Sequence, residues 1–104
     1  MSMLIVLTTA PNTREAEGLA DAIVRNRLAA CVQILPPMTS VYWWDGDVQR
    51  ESEHLLLIKT SAEKYDDLEQ FIKAHHSYDV PEIVAIPAEK VSADYLKWLR
   101  DYLA

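Results

Sequence analysis

Glycine is almost missing: the 104-residue chain has two, Gly18 and Gly46. No glycine-rich phosphate loop can be built from them, which excludes nucleotide sites of the Walker or Rossmann kind. Cysteine occurs once, as Cys31, so no internal disulfide can form and a reducing, cytoplasmic setting is expected. Basic residues are few, 10 against 16 acidic for a net charge of −6, and they are scattered rather than striped. Phosphate neutralisation supplies most non-specific affinity for nucleic acid, so nucleic acid is not expected as a partner. No apolar run approaches the ~20 residues that span a bilayer, so no membrane partner is expected either. Met1 to Ala10 has no charged leader ahead of its apolar stretch, and no signal peptide is expected. Linkers, repeats and low-complexity segments are absent, so residues 1–104 are read as one domain.

What is present is a hairpin signal. Asp45-Gly46 is the dipeptide that a tight hairpin turn favours, because that turn needs positive φ at both central residues. The flanking apolar runs are long: Ala30 to Trp44 is two to three times an ordinary strand. Much of such a hairpin must extend beyond the sheet of its own domain. Edges carrying Tyr42, Trp43 and Trp44 would aggregate unless something pairs with them, and a second copy of the chain is the expected partner.

The rest of the chain reads in alternating elements. Met3 to Thr9 is a buried strand. Asn12 with Glu15 forms a capping-box pattern before an amphipathic helix over Thr13 to Arg27. Cys31 to Leu35 starts the next strand, Pro36-Pro37 interrupts it, Thr39 to Trp44 resumes it, and Val48 to Thr60 returns. Ser61 is placed to cap a second helix, with Tyr65, Leu68, Ile72 and His75 on one stripe. Ile83 to Pro87 is a short strand, and Ser92 opens a last helix. The order is β-α-β-β-α-β plus a C-terminal helix. Right-handed crossovers then put both inner helices on one face of an antiparallel sheet, which predicts an α+β, ferredoxin-like sandwich with a long protruding β-hairpin.

Four ordered motifs carry a resemblance. Leu28-Ala-Ala-Cys-Val-Gln-Ile34, Ser40-Val-Tyr-Trp-Trp-Asp-Gly46, Glu53 with Lys59-Thr60, and Tyr78-Asp-Val-Pro-Glu-Ile83 together resemble the CutA family of divalent-cation tolerance proteins, over nearly the whole chain. The resemblance implies a ferredoxin-like homotrimer, similar in architecture to the PII signalling proteins, whose hairpins pack on neighbouring subunits by strand pairing. It also implies an association with copper and other divalent metals, and no organic cofactor is expected. One departure is visible. The family usually reads Asn-His-Pro-Tyr where this chain has His75-His76-Ser77-Tyr78, so the loop loses a rigid residue and gains an imidazole.

Each candidate residue has a chemical reading and a plainer one. Cys31 is a soft ligand suited to copper, or a small buried hydrophobe. His75 falls on the apolar stripe and is expected to pack, its chemical reading being a metal ligand beside His76. His76 is expected at solvent or at the helix end, where with Asp79 it could hold a divalent ion such as Cu(II). His54 is expected to make a cross-strand polar contact. Glu53 and Lys59 share a strand face, and a lysine among apolar residues needs a partner, for which Glu82 is the candidate. Cys31, Glu53, Lys59, Tyr78 and Glu82 then read as a cleft for a small anion or metal complex, or as a structural ion-pair network that sets subunit register. Tyr42, Trp43 and Trp44 are read as subunit interface. The expected function is copper or divalent-metal binding by a trimer that responds to metal ions. The alternatives are a PII-like module sensing a small molecule between subunits and an enzyme using Glu53, Lys59 and Glu82. No nucleophile with an oriented base is present, so no catalytic residue is assigned.

Overall fold

A computed structural model describes residues 2–104; Met1, where the leader reading begins, lies outside the described residues. The first strand, β1 (Met3–Ala10), leads through Asn12 into helix α1 (Thr13–Arg25). The Asn12 side chain accepts the Glu15 N–H at 2.9 Å, and its amide donates to the Glu15 carboxylate at 2.9 Å, so the expected cap forms. The helix stops two residues short of its expected end. Arg27 takes a left-handed φ of 55°, its N–H bonds Val24 O, and the Leu28 N–H bonds Ile23 O. That pair of bonds is a Schellman motif, which closes a helix whatever the periodicity beyond it.

Strand β2 (Cys31–Ile34) ends before the two prolines, and β3 (Met38–Trp44) resumes after them. Asp45 (φ 53°) and Gly46 (φ 78°) make the expected turn with two positive φ values. The returning β4 (Asp47–Ser61) runs for fifteen residues. A short 3-10 turn (Ala62–Lys64), helix α2 (Tyr65–His75), strand β5 (Val84–Pro87) and helix α3 (Ala93–Leu103) complete the chain. The serines expected as caps do not act through their side chains. Ser61 is the last strand residue and its buried hydroxyl finds no partner among the described residues, and Ser92 offers the Leu96 N–H only its carbonyl.

The sheet order is β2-β4-β1-β5, antiparallel throughout, with β3 on the far half of β4. This is the ferredoxin-like arrangement expected from the element order. Val6, Leu56 and Ile58 on one sheet face meet Ala16 and Ile23 of α1 and Leu68 and Ile72 of α2 in the main core. On the opposite face α3 covers one end of the sheet, where Leu99 and Leu103 pack on Met3 and Ala30. The molecule is elongated, 44 × 25 × 24 Å, because half of β4 leaves the sheet to form the hairpin.

Candidate functional site

Strand parity sorts the hairpin into two surfaces, because directly opposed residues share a face and successive ones alternate. Tyr42 and Trp44 stand opposite Gln49 and Asp47, on the face that also carries Glu51 and Glu53. Val41 and Trp43 stand opposite Arg50 and Val48 on the other face, all three apolar side chains exposed, Trp43 by 69 %. The segment that follows α2 lies against the first face. Between them opens a cleft of about 620 Å³, at the base of the hairpin.

Carboxylates and aromatic rings make up most of the lining, with Thr9, Pro11, Ser52 and Val80 between them. Glu51, Glu53, Asp79 and Glu82 bring carboxylates, and Tyr42, Trp44 and Tyr78 bring aromatic surface. No lysine, arginine or histidine lines it. Glu53 is the most enclosed of the carboxylates, 7 % exposed, and the Tyr78 hydroxyl donates to its Oε2 at 2.8 Å. Burial, and then the hydrogen bond and charge of Glu53, hold the Tyr78 phenol well above its usual range. That contact ties the loop after α2 to the root of the hairpin.

His76 anchors the same loop. Its Nε2 lies 2.6 Å from Thr9 O and its Nδ1 accepts the Tyr78 N–H at 3.0 Å. A carbonyl only accepts, so Nε2 carries the proton and Nδ1 the lone pair, and both are used inside the chain. His54 is fixed in the same way, Nδ1–H to Leu35 O at 2.8 Å and Nε2 against the Thr13 hydroxyl at 3.2 Å. The expected cross-strand polar contact of His54 is present in the bond to Leu35 O, and the second nitrogen adds a link to the start of α1.

Several expectations change. The roles of the two adjacent histidines are exchanged: His75 is the exposed one, stacked on Phe71 with centroids 4.0 Å apart, and His76 is the half-buried one. With both ring nitrogens engaged, His76 has no lone pair left for a metal. His75 bonds Phe71 O through Nδ1 and keeps Nε2 free. It borders a smaller groove of about 330 Å³ between α1 and α2, on the other side of the loop. The five-residue cluster also divides. Glu53, Tyr78 and Glu82 share the cleft, but Lys59 sits six residues further along β4, about 20 Å away. Its ammonium lies over the Tyr95 ring of α3, 5.4 Å from the centroid, so an aromatic face and not Glu82 is its partner. Cys31 is half-buried and stands opposite Lys59 in the β2–β4 register, also outside the cleft. Among the described residues no three His, Cys, Asp or Glu side chains converge as a metal shell, and the ion pairs are three surface i,i+4 pairs on helices. The cleft is therefore anionic and not the anion site that Lys59 had suggested.

Glu51 is a site residue outside the expected cluster, and Tyr42 and Trp44, expected only at a subunit interface, line the cleft as well. The signal was available in the turn. Once Asp45-Gly46 fixes the register, parity alone puts Tyr42, Trp44, Glu51 and Glu53 on one face.

The family model described as CutA1 divalent ion tolerance protein matches residues 4–102. The chain is 46 % identical over 97 residues to the divalent-cation tolerance protein CutA of Thermus thermophilus, covering 93 % of this chain and 94 % of that one. It is 45 % identical over 98 residues to the chloroplastic protein CutA 1 of Oryza sativa, covering 94 % of this chain and 55 % of that one, so it spans about half the length of that plant relative. The crystal structure of CutA1 from Oryza sativa superposes with a TM-score of 0.97 at 42 % identity, covering 100 % of this chain and 95 % of that chain.

Proposed function

Because the chain belongs to the CutA1 family of divalent ion tolerance proteins, we propose that it binds divalent cations, copper(II) ahead of the others, and does so as a homotrimer. The observation that carries the reading is the hairpin-base cleft, where Glu51, Glu53, Asp79 and Glu82 line one cavity with no basic residue beside them. Carboxylates so placed attract a divalent ion, and among first-row divalent ions Cu(II) heads the stability order on a given set of donors. The four side chains do not close a shell within one chain. In the trimer a neighbouring subunit completes the coordination, as symmetry allows when one surface serves every copy. Support for self-association is the apolar surface that one chain leaves open: Val41, Trp43 and Val48 on the outer hairpin face, and Val84 and Ile86 on the edge strand. Cys31 is left as a reduced thiol of a cytoplasmic protein. No catalysis is proposed, since Glu53, Lys59 and Glu82 do not form one cluster.

Competition titration of the metal-free protein with Cu(II) against a calibrated chelator tests this, with sedimentation run on the same samples. Saturable binding that weakens in Glu51→Gln and Glu82→Gln, on a species of three-chain mass, is the expected result. Binding unchanged in both variants, or a one-chain mass at micromolar concentration, would overturn it.

A further inference from the structure

Of the three histidines, His76 alone is held by bonds that only the neutral ring can make. Its Nε2–H donates to Thr9 O at 2.6 Å, and its Nδ1 accepts the Tyr78 N–H at 3.0 Å. Neither partner can change role, because a carbonyl only accepts and a backbone N–H only donates. A second proton on the ring goes to Nδ1, where it faces the Tyr78 N–H donor to donor, and that bond is lost. The other histidines escape this conflict. His54 sets Nε2 against the Thr13 hydroxyl, which accepts as well as donates, so either charge state keeps both of its bonds. His75 is exposed and its Nε2 is free.

The bond at Nδ1 holds a segment with few other ties. Helix α2 ends at His76, whose own N–H bonds Ile72 O. Among the described residues, the hydrogen bonds that fasten residues 77–82 are both made by Tyr78, its N–H to His76 and its hydroxyl to Glu53. The same segment supplies Tyr78, Asp79, Val80 and Glu82 to the wall of the hairpin-base cleft. The groups around the ring do not settle its charge by themselves. On the groove side stand Arg14 and Glu15 of α1, opposite in sign, and His75 of α2; Glu15 is already bonded by the Asn12 amide. On the cleft side stands the Tyr78 ring, with Glu53 behind it, and β1 presents only the Thr9 carbonyl.

We infer that His76 is an acid-sensitive latch: the neutral imidazole holds the segment after α2 against the base of the hairpin, and protonation of Nδ1 releases Tyr78 and withdraws that wall from the cleft. Every bond in the latch lies inside one chain, and none depends on what the cleft binds. A released segment leaves Nδ1 open to a proton that the docked segment excludes. Acid therefore favours release and neutral pH favours docking, across the range in which histidine changes charge, about pH 5 to 8.

Hydrogen exchange of the Tyr78 amide, followed by NMR on the full-length protein from pH 8 to pH 5.5, is the test, with rates corrected for the pH dependence of exchange in a free peptide. The window stays above the range in which ordinary carboxylates titrate. Protection of the Tyr78 amide is expected to fall about tenfold or more as the His76 ring nitrogens report protonation, while Val6 in the core of β1 keeps its protection. His76→Asn removes the titration but keeps an acceptor for the N–H two residues on, and is expected to abolish the fall. His75→Asn is expected to leave it unchanged. Four results would overturn the inference: a His76 ring that takes no proton in this window, level Tyr78 protection while the ring titrates, an equal loss at Val6, or an undiminished fall in His76→Asn.

Discussion

Replacing Tyr78 by Phe removes one oxygen and leaves the ring where it is, 4.7 Å from the His76 ring. The lost bond is the 2.8 Å contact to Glu53, a carboxylate 7 % exposed with no basic partner among the described residues. A hydrogen bond to a charged acceptor contributes about 1.5–3 kcal/mol, and stranding a buried acceptor costs the most. Tyr78 is itself half-buried, so the lower half of that range applies, and Tyr78→Phe should lose about 2 kcal/mol. Urea unfolding at pH 7 and a fixed protomer concentration measures it, the concentration being held because the proposed self-association would make the midpoint depend on it. A double-mutant cycle with Glu53→Gln should return a coupling of about 1–2 kcal/mol. The contact also has a pH signature. Folding raises the Tyr78 phenol above its ordinary 10.0, so the unfolded chain gives up that proton first as pH rises. Stability from this group is therefore intact below pH 10 and declines as pH climbs toward the folded value, and Tyr78→Phe should lose that alkaline decline. A loss under about 0.5 kcal/mol, with coupling near zero, would refute the claim that this bond pins the loop to the hairpin.

Other substitutions probe other parts of the account. His76→Ala strands Thr9 O and frees the Tyr78 N–H, and should cost about 2 kcal/mol in the same unfolding assay; a neutral result would contradict the two-bond anchor. Asn12→Ala should cost about 1 kcal/mol through the lost cap, read as a lowered urea midpoint with unchanged slope. At Gly46 an added Cβ meets nothing within 4 Å, so only the φ of +78° opposes substitution. Gly46→Ala should then lose about 1 kcal/mol, and Gly46→Asn less, since Asn tolerates left-handed backbone; equal losses would point to a steric cause instead.

The fold was legible because its signals are local. Alternating apolar runs, the Asn12 cap and the Asp45-Gly46 turn each name an element, and the right-handed crossover rule turns their order into a topology. The site was legible in part, and the errors have causes. His76 stands at the helix end, as one of its two expected places has it, but as the C-cap, with ψ 144°, its side chain turns inward to Thr9 and not to solvent. Lys59 shares parity with Glu53, yet parity says nothing of distance along a fifteen-residue strand, and the partner it meets comes from α3. Ser61 and Ser92 do stand at the N-cap positions of the 3-10 turn and of α3, but neither side chain accepts a helix N–H, because residue type marks the position without fixing the rotamer. Trp43, Val48 and Ile86 stay exposed in one chain, and periodicity reads only the faces that a chain buries against itself.

The central claim is that divalent cations enter the hairpin-base cleft. Anomalous diffraction from crystals of the copper-loaded protein locates the ion directly. The account predicts a peak within bonding distance of Glu51, Glu53, Asp79 or Glu82. A peak at Cys31 or His75, with the cleft empty, would contradict it.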